Sequence, residues 1–185
     1  MGVLAIVDEA AIRELTAKMA EEREKLIAQI ESLSEADAES APADGEGEAQ
    51  WSAKQQCAHL AEMESAYRAW VERALVEDNP DVGKLRGEPV AIPLEEAQSR
   101  PVAELVAQMR EQRERTLALI ASLTPEQYER TASQPMFGTL TVLQWLRSYY
   151  RHDRMHQAQI AGRRADYQPR FVDGKEPDQR RARLT

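Results

Sequence analysis

Four stretches of this chain carry apolar side chains at steps of three, four and seven residues. That period constrains the fold more than anything else in the sequence. In residues 8–33, Ile12, Leu15, Met19, Leu26, Ile30 and Leu33 fall on one face of a helix. A second helix opens at "SAKQ", where Ser52 reads as the N-cap and Gln55 as the residue reaching back to it. Its inward stripe is His59, Met63, Tyr67, Trp70 and Ala74. A third helix begins near Pro101, a residue suited to a first turn, and turns Val102, Leu105, Met109, Thr116, Ile120 and Leu123 inward. The fourth spans about 140–163 and lines up Leu146, Tyr149, His152, His156 and Ile160. Each stripe needs a partner to be buried against, so the pattern predicts an all-α four-helix bundle.

The gaps between the stripes bear on topology. Residues 34–50 form an acidic loop without periodicity, and "TPEQ" at Thr124 starts a short turn or helix. The link over 77–100, "EDNPDVGKLRGEPVAIPLEEAQSR", is far longer than antiparallel neighbours need. A link of that length can travel the whole bundle. The second and third helices are then parallel, giving an up-down-down-up order. The bundle is expected to occupy residues 1–164, with 165–185 as a C-terminal tail whose basic end, "DQRRARLT", is a solvated terminus.

Charge and composition exclude some functions. Lys and Arg number 24 against 32 Asp and Glu, a net charge of -8, so no basic face for nucleic acid is expected. The apolar run Val3 to Val7 is too short for a signal segment, and nothing approaches the roughly 20 apolar residues of a membrane span. The expectation is a soluble, cytoplasmic protein with no membrane partner. The single cysteine, Cys57, suits a reducing compartment. It lies two residues from His59, on a different helical face, and reads as a small core residue.

The chain has three histidines, and all three replace apolar residues in inward stripes. His152 and His156 are one turn apart and share a face. His59 lies about two turns into the second helix, and His156 about two turns before the end of the fourth. At 1.5 Å per residue both lie roughly 10 Å below the same end of an up-down-down-up bundle, with His152 about 6 Å deeper. Three buried imidazoles would repel one another if protonated, and a divalent cation removes that conflict. His59, His152 and His156 are therefore the predicted metal ligands. Three neutral nitrogens leave a coordination position open, as in a catalytic site.

Further candidates surround these ligands. Glu62, Tyr149 and Gln159 are candidate catalytic or pocket residues, each three residues from a histidine. Arg100, Arg163 and Arg164 lie near the same end and are candidate cofactor-binding residues. Asp153 is rotated about 100° from His152 and is expected to pair with an arginine of a neighbouring helix. The tryptophans and Tyr150 read as core or interface.

"WSAKQQCAHLAEME", followed much later by "TVLQWLRSYYRHDRMHQAQIAGRR", resembles the DinB-like superfamily. The matching positions are His59, then His152, His156, Gln159 and Ile160 in the pattern HxxxHxxQI. The resemblance implies an up-down-down-up bundle, frequent homodimers, and a divalent metal, commonly zinc or nickel, on the three histidines. It also implies a metal-dependent, thiol-using transferase acting on small electrophiles, similar to enzymes that use bacillithiol or mycothiol, or a related metal-dependent hydrolase. The isomerase group of the family has an additional C-terminal domain, so a chain ending near 185 points away from that group. The reading from another class is a non-enzymatic stress-response homodimer whose metal site is structural or vestigial.

Overall fold

The computed structural model describes residues 7–43, 47–88 and 92–165. The expected tail lies almost wholly outside the described residues. Four long helices account for the four stripes: α1 (Glu9–Glu31), α3 (Ala53–Val76), α4 (Val102–Ser122) and α5 (Val142–Ile160). A five-residue helix, α2 (Glu35–Glu39), and a two-stranded antiparallel hairpin, β1 (Thr131–Gln134) and β2 (Gly138–Thr141), complete the described regular structure with three short 3₁₀ turns. No helix among the described residues is long and apolar enough to cross a membrane.

The helix starts follow from their capping chemistry. Gln55 N–H donates to Ser52 Oγ at 3.2 Å, and Ser52 N–H donates to Gln55 Oε1 at 3.1 Å, so the expected capping box opens α3. A second box, Thr141 with Gln144, opens α5. It starts that helix at Val142 rather than at 140, because Leu140 belongs to β2, opposite Ala132. Gly138, at φ 70°, closes the hairpin turn in a region few side chains tolerate. The stretch 34–50, expected to be a plain loop, contains α2, capped by Ser34, and a 3₁₀ turn at Gly47–Gln50. Both elements are too short to show a helical period.

Side-chain pairs fix the helix directions. Arg23 donates to the Met109 carbonyl at 3.3 Å and Arg113 to the Met19 carbonyl, so α1 and α4 are antiparallel. Arg113 binds Glu64, and Arg68 binds Gln112 four residues further along α3, while residues 53–61 pack with 102–109. Tyr67 meets Tyr149 and Trp70 meets Trp145, while Gln56 reaches His156, so α3 and α5 are antiparallel. The long link supplies the turnaround. Its backbone accepts from Trp70 Nε1 at Leu85 and from Ser65 Oγ at Glu88, and Gln98 then accepts from Ser52 Oγ. It thus runs back along α3 from the C-terminal end to the first turn.

Two apolar clusters fill the interior. One contains Leu15, Met19, Tyr67, Trp70, Ile120, Trp145 and Leu146; the other contains Leu26, Ile30, Cys57, Leu60, Leu105 and Met109. Between them lies a buried ionic layer to which each long helix contributes one residue: Arg23, Glu64, Arg113 and Asp153. Arg23 reaches Glu64 at 2.6 Å and Asp153 at 2.8 Å; Arg113 reaches Glu64 at 2.7 Å and Asp153 at 2.8 Å. Two cations face two anions, so every charge of this layer has partners on two other helices.

Candidate metal centre

The ionic layer places the histidines. Asp153 is the chain neighbour of His152, and Glu64 follows His59 on α3. Antiparallel packing of α3 against α5 brings the three rings together. The ring centroids are 5.2 Å apart for His59–His152, 5.4 Å for His59–His156 and 4.6 Å for His152–His156. The expectation that three inward positions on two helices meet at one height therefore matches the structure.

A fourth member joins them that no periodicity marks. Glu48, on the 3₁₀ turn Gly47–Gln50, extends its carboxylate into the histidine cluster. One donor atom from each of Glu48, His59, His152 and His156 lies within 4.8 Å of all the others. The exposures are 3%, 4%, 5% and 0%, so the four donors converge away from solvent. Burial alone would push the Glu48 carboxyl up, but the imidazoles of His152, His59 and His156, when protonated, outweigh it and hold the group well below the usual carboxylate range.

A second residue the sequence reading did not single out sets a histidine tautomer. Gln56 Nε2 donates to the Trp51 carbonyl at 3.0 Å, which turns its amide oxygen toward His156 Nδ1 at 2.9 Å. That oxygen can only accept, so His156 Nδ1 carries the proton and Nε2 presents its lone pair to the cluster. The amide is thus the outer partner a metal-binding imidazole normally has. His156 Nε2 and His152 Nε2 are 3.0 Å apart, so the two either share a proton or share a cation. Three imidazoles and one carboxylate are the donor types that first-row divalent cations take, and the residues present fit such an ion.

The other candidates fall differently. Tyr149 is buried beside the cluster, 5.1 Å from the Tyr67 ring, which is itself 6.1 Å from His152. Gln159 is half-buried near the end of α5, and Glu62 is exposed. Arg100 is bound up with Glu96 and Glu104 on the surface, while Arg163 and Arg164 are exposed past the end of α5. Asp153 takes the arginine pairing expected of it, with Arg23 and Arg113. Cys57 is fully buried in the core, where burial pushes its thiol up to about 12.

A profile of the DinB superfamily matches residues 18–160. None of the curated proteins matches the sequence. Among solved structures, the fold is similar to YfiT from Bacillus subtilis, a probable metal-dependent hydrolase with an unusual four-helix bundle topology. The TM-score is 0.68 at 19% identity, over 88% of this chain and 90% of that one. It is also similar to a mycothiol-dependent maleylpyruvate isomerase, with a TM-score of 0.61 at 12% identity. That match covers 85% of this chain but 62% of the isomerase. At such identities the likeness is one of fold.

Proposed function

The chain belongs to the DinB superfamily, and from that premise we propose that it is a metal-dependent enzyme, first of all a hydrolase of small substrates. The observation that supports this is the convergence of four buried donors within 4.8 Å on three different elements. His59, His152 and His156 would hold the cation. When bound, a divalent ion there supplies Lewis acidity and makes a small nucleophile, water or a thiol, easier to deprotonate.

The protein's own residues do the rest. Gln56 keeps His156 in the tautomer that offers Nε2. The ring centroid of Trp51 lies 4.8 Å from that of His59 and the Tyr67 ring 6.1 Å from that of His152, so aromatic side chains pack on two sides of the cluster. The ionic layer below holds α3 and α5 at fixed heights. Hydrolysis ranks above thiol transfer because, of the arginines that would grip a thiol's carboxylates, Arg100 is engaged by Glu96 and Glu104, and Arg163 and Arg164 are exposed past the end of α5. Thiol transfer is the second reading, favoured by the likeness to a mycothiol-dependent isomerase. A homodimer belongs to the same proposal, and light scattering tests it.

The test begins with metal analysis of purified protein, expected to give close to one divalent ion per chain. Metal-loaded protein is then assayed on ester and amide substrates, and with bacillithiol, mycothiol, glutathione and cysteine against a model electrophile. Hydrolysis without thiol that disappears in His152→Ala and His156→Ala supports the first reading. Turnover only with thiol supports the second. No turnover by protein proven to hold metal overturns both in favour of a non-enzymatic dimer.

A further inference from the structure

Glu48 stands where another donor to the same ion would stand. Its Oε1 is 3.6 Å from His59 Nε2, and its Oε2 is 3.8 Å from His156 Nε2 and 4.0 Å from His152 Nε2. These separations are too long for hydrogen bonds. They are close to the spacing of ligands around one ion: donors of a tetrahedral cation with bonds of about 2.0–2.2 Å lie about 3.3–3.6 Å apart. Both carboxylate oxygens face histidine nitrogens, so the group is centred on the cluster.

The backbone that carries Glu48 is tied to the site. Trp51 N–H donates to the Glu48 carbonyl at 3.2 Å and closes the 3₁₀ turn. The Trp51 carbonyl in turn takes the Gln56 amide that sets the His156 tautomer. Ser52 then begins α3, the helix that bears His59. One four-residue turn thus presents the carboxylate and, through its next residue, orients one of the imidazoles. The three histidines project from long helices with continuous backbone ladders, whereas Glu48 projects from a short turn.

Building on the three-histidine reading above, we propose that Glu48 is a fourth protein donor that closes the centre at rest, and that a small oxygen or sulfur ligand reaches the ion by displacing this carboxylate. A site closed by four protein donors has the pattern of a structural centre, and an open position that of a catalytic one. Glu48, the donor on the least extensive element, is the one that converts the first into the second.

Cobalt(II) titration of chelator-stripped protein tests this, with visible absorption as the readout and a competing chelator to set the affinity. Wild type, Glu48→Ala, Glu48→Gln and His156→Ala are compared, and circular dichroism checks that each retains its helix content. Removing Glu48 should weaken cobalt binding at least about tenfold, no less than losing an outer-shell partner of a metal ligand. Acetate should then change the spectrum of cobalt-loaded Glu48→Ala, by entering the vacated position, and leave wild type unchanged. Glu48→Gln, which keeps the shape but loses the charge, should fall between the two. Unaltered affinity in both Glu48 variants, with no response to acetate, overturns the proposal. If His156→Ala loses cobalt in that same experiment, the three-histidine reading survives it. Failure of wild type to bind cobalt overturns both.

Discussion

Replacing Arg113 with methionine removes one of two cations from a fully buried layer. Arg113 binds Glu64 at 2.7 Å, Asp153 at 2.8 Å and the Met19 carbonyl, and all three charged residues are buried. Methionine fills the volume, so the loss is electrostatic: two buried carboxylates are left with Arg23 alone. Breaking a buried pair by removing one partner destabilises by about 3–5 kcal/mol. For a domain of this size each kcal/mol lowers the Tm by about 2–4 °C, which gives a drop of about 6–20 °C.

The pH dependence of that loss separates charge from packing. In the native protein, burial raises the Asp153 carboxyl, but Arg113 and Arg23 outweigh it and hold the group below its usual value. Its contribution to stability is then present above the unfolded value of about 3.9 and is lost as the pH falls through the lower folded value. Without Arg113 the burial effect dominates and the folded value rises above the unfolded one. The sign reverses: the variant is favoured in acid and loses stability as the pH climbs toward the raised value. Denaturant unfolding followed by circular dichroism at pH 5 and pH 8 should show the larger penalty at pH 8. A penalty below about 1 kcal/mol at pH 8, or one equal at the two pH values, refutes the reasoning.

Single alanine substitutions at His59, His152 and His156 should each release the bound ion, measured by metal analysis after gel filtration; wild-type affinity should fall as the pH drops through about 6, because the ligands must be neutral. Gln56→Leu frees the His156 ring to change tautomer and should weaken metal binding about 10–100-fold in chelator competition without changing helix content. Gly87→Ala places a methyl carbon 2.3 Å from the Ser65 carbonyl group, backbone that cannot move aside, and should destabilise by about 1–3 kcal/mol in denaturant unfolding.

The long helices were legible because each buries a continuous stripe, and the Ser52–Gln55 box marked the start of α3 to the residue. The histidines were legible for the same reason, as polar residues out of place in apolar stripes. The length of the link between α3 and α4 is what suggests a parallel course for them. Glu48 carried no such mark. It is one glutamate in an acidic stretch, and only the path of a four-residue turn separates it from the exposed Glu35, Asp37 and Glu39. The hairpin was hidden because its strands are four residues each, too short to establish an alternating period. Arg23, Glu64 and Arg113 sit beside apolar stripes where charged residues normally snorkel outward, so sequence alone does not reveal that they face one another.

The ionic layer has a role that apolar packing cannot supply. Aliphatic side chains tolerate repacking, so two cores alone would leave some freedom for a helix to slide. Sliding α5 by one turn would carry Asp153 about 5.4 Å from both arginines. The layer therefore fixes the height of α5, and with it His152 and His156; Glu64 fixes α3, and with it His59. Replacing all four charges by apolar residues (Arg23→Met, Glu64→Leu, Arg113→Met and Asp153→Leu together) should leave a folded bundle of equal or greater stability, as buried ion pairs often permit. It should nevertheless weaken metal binding, because the imidazoles would no longer be held at one height. Thermal unfolding of the metal-free proteins and cobalt titration measure the two properties separately. A quadruple variant that binds cobalt as tightly as wild type would show that the stripes alone set the register, and that the layer is an electrostatic accommodation with no bearing on the site.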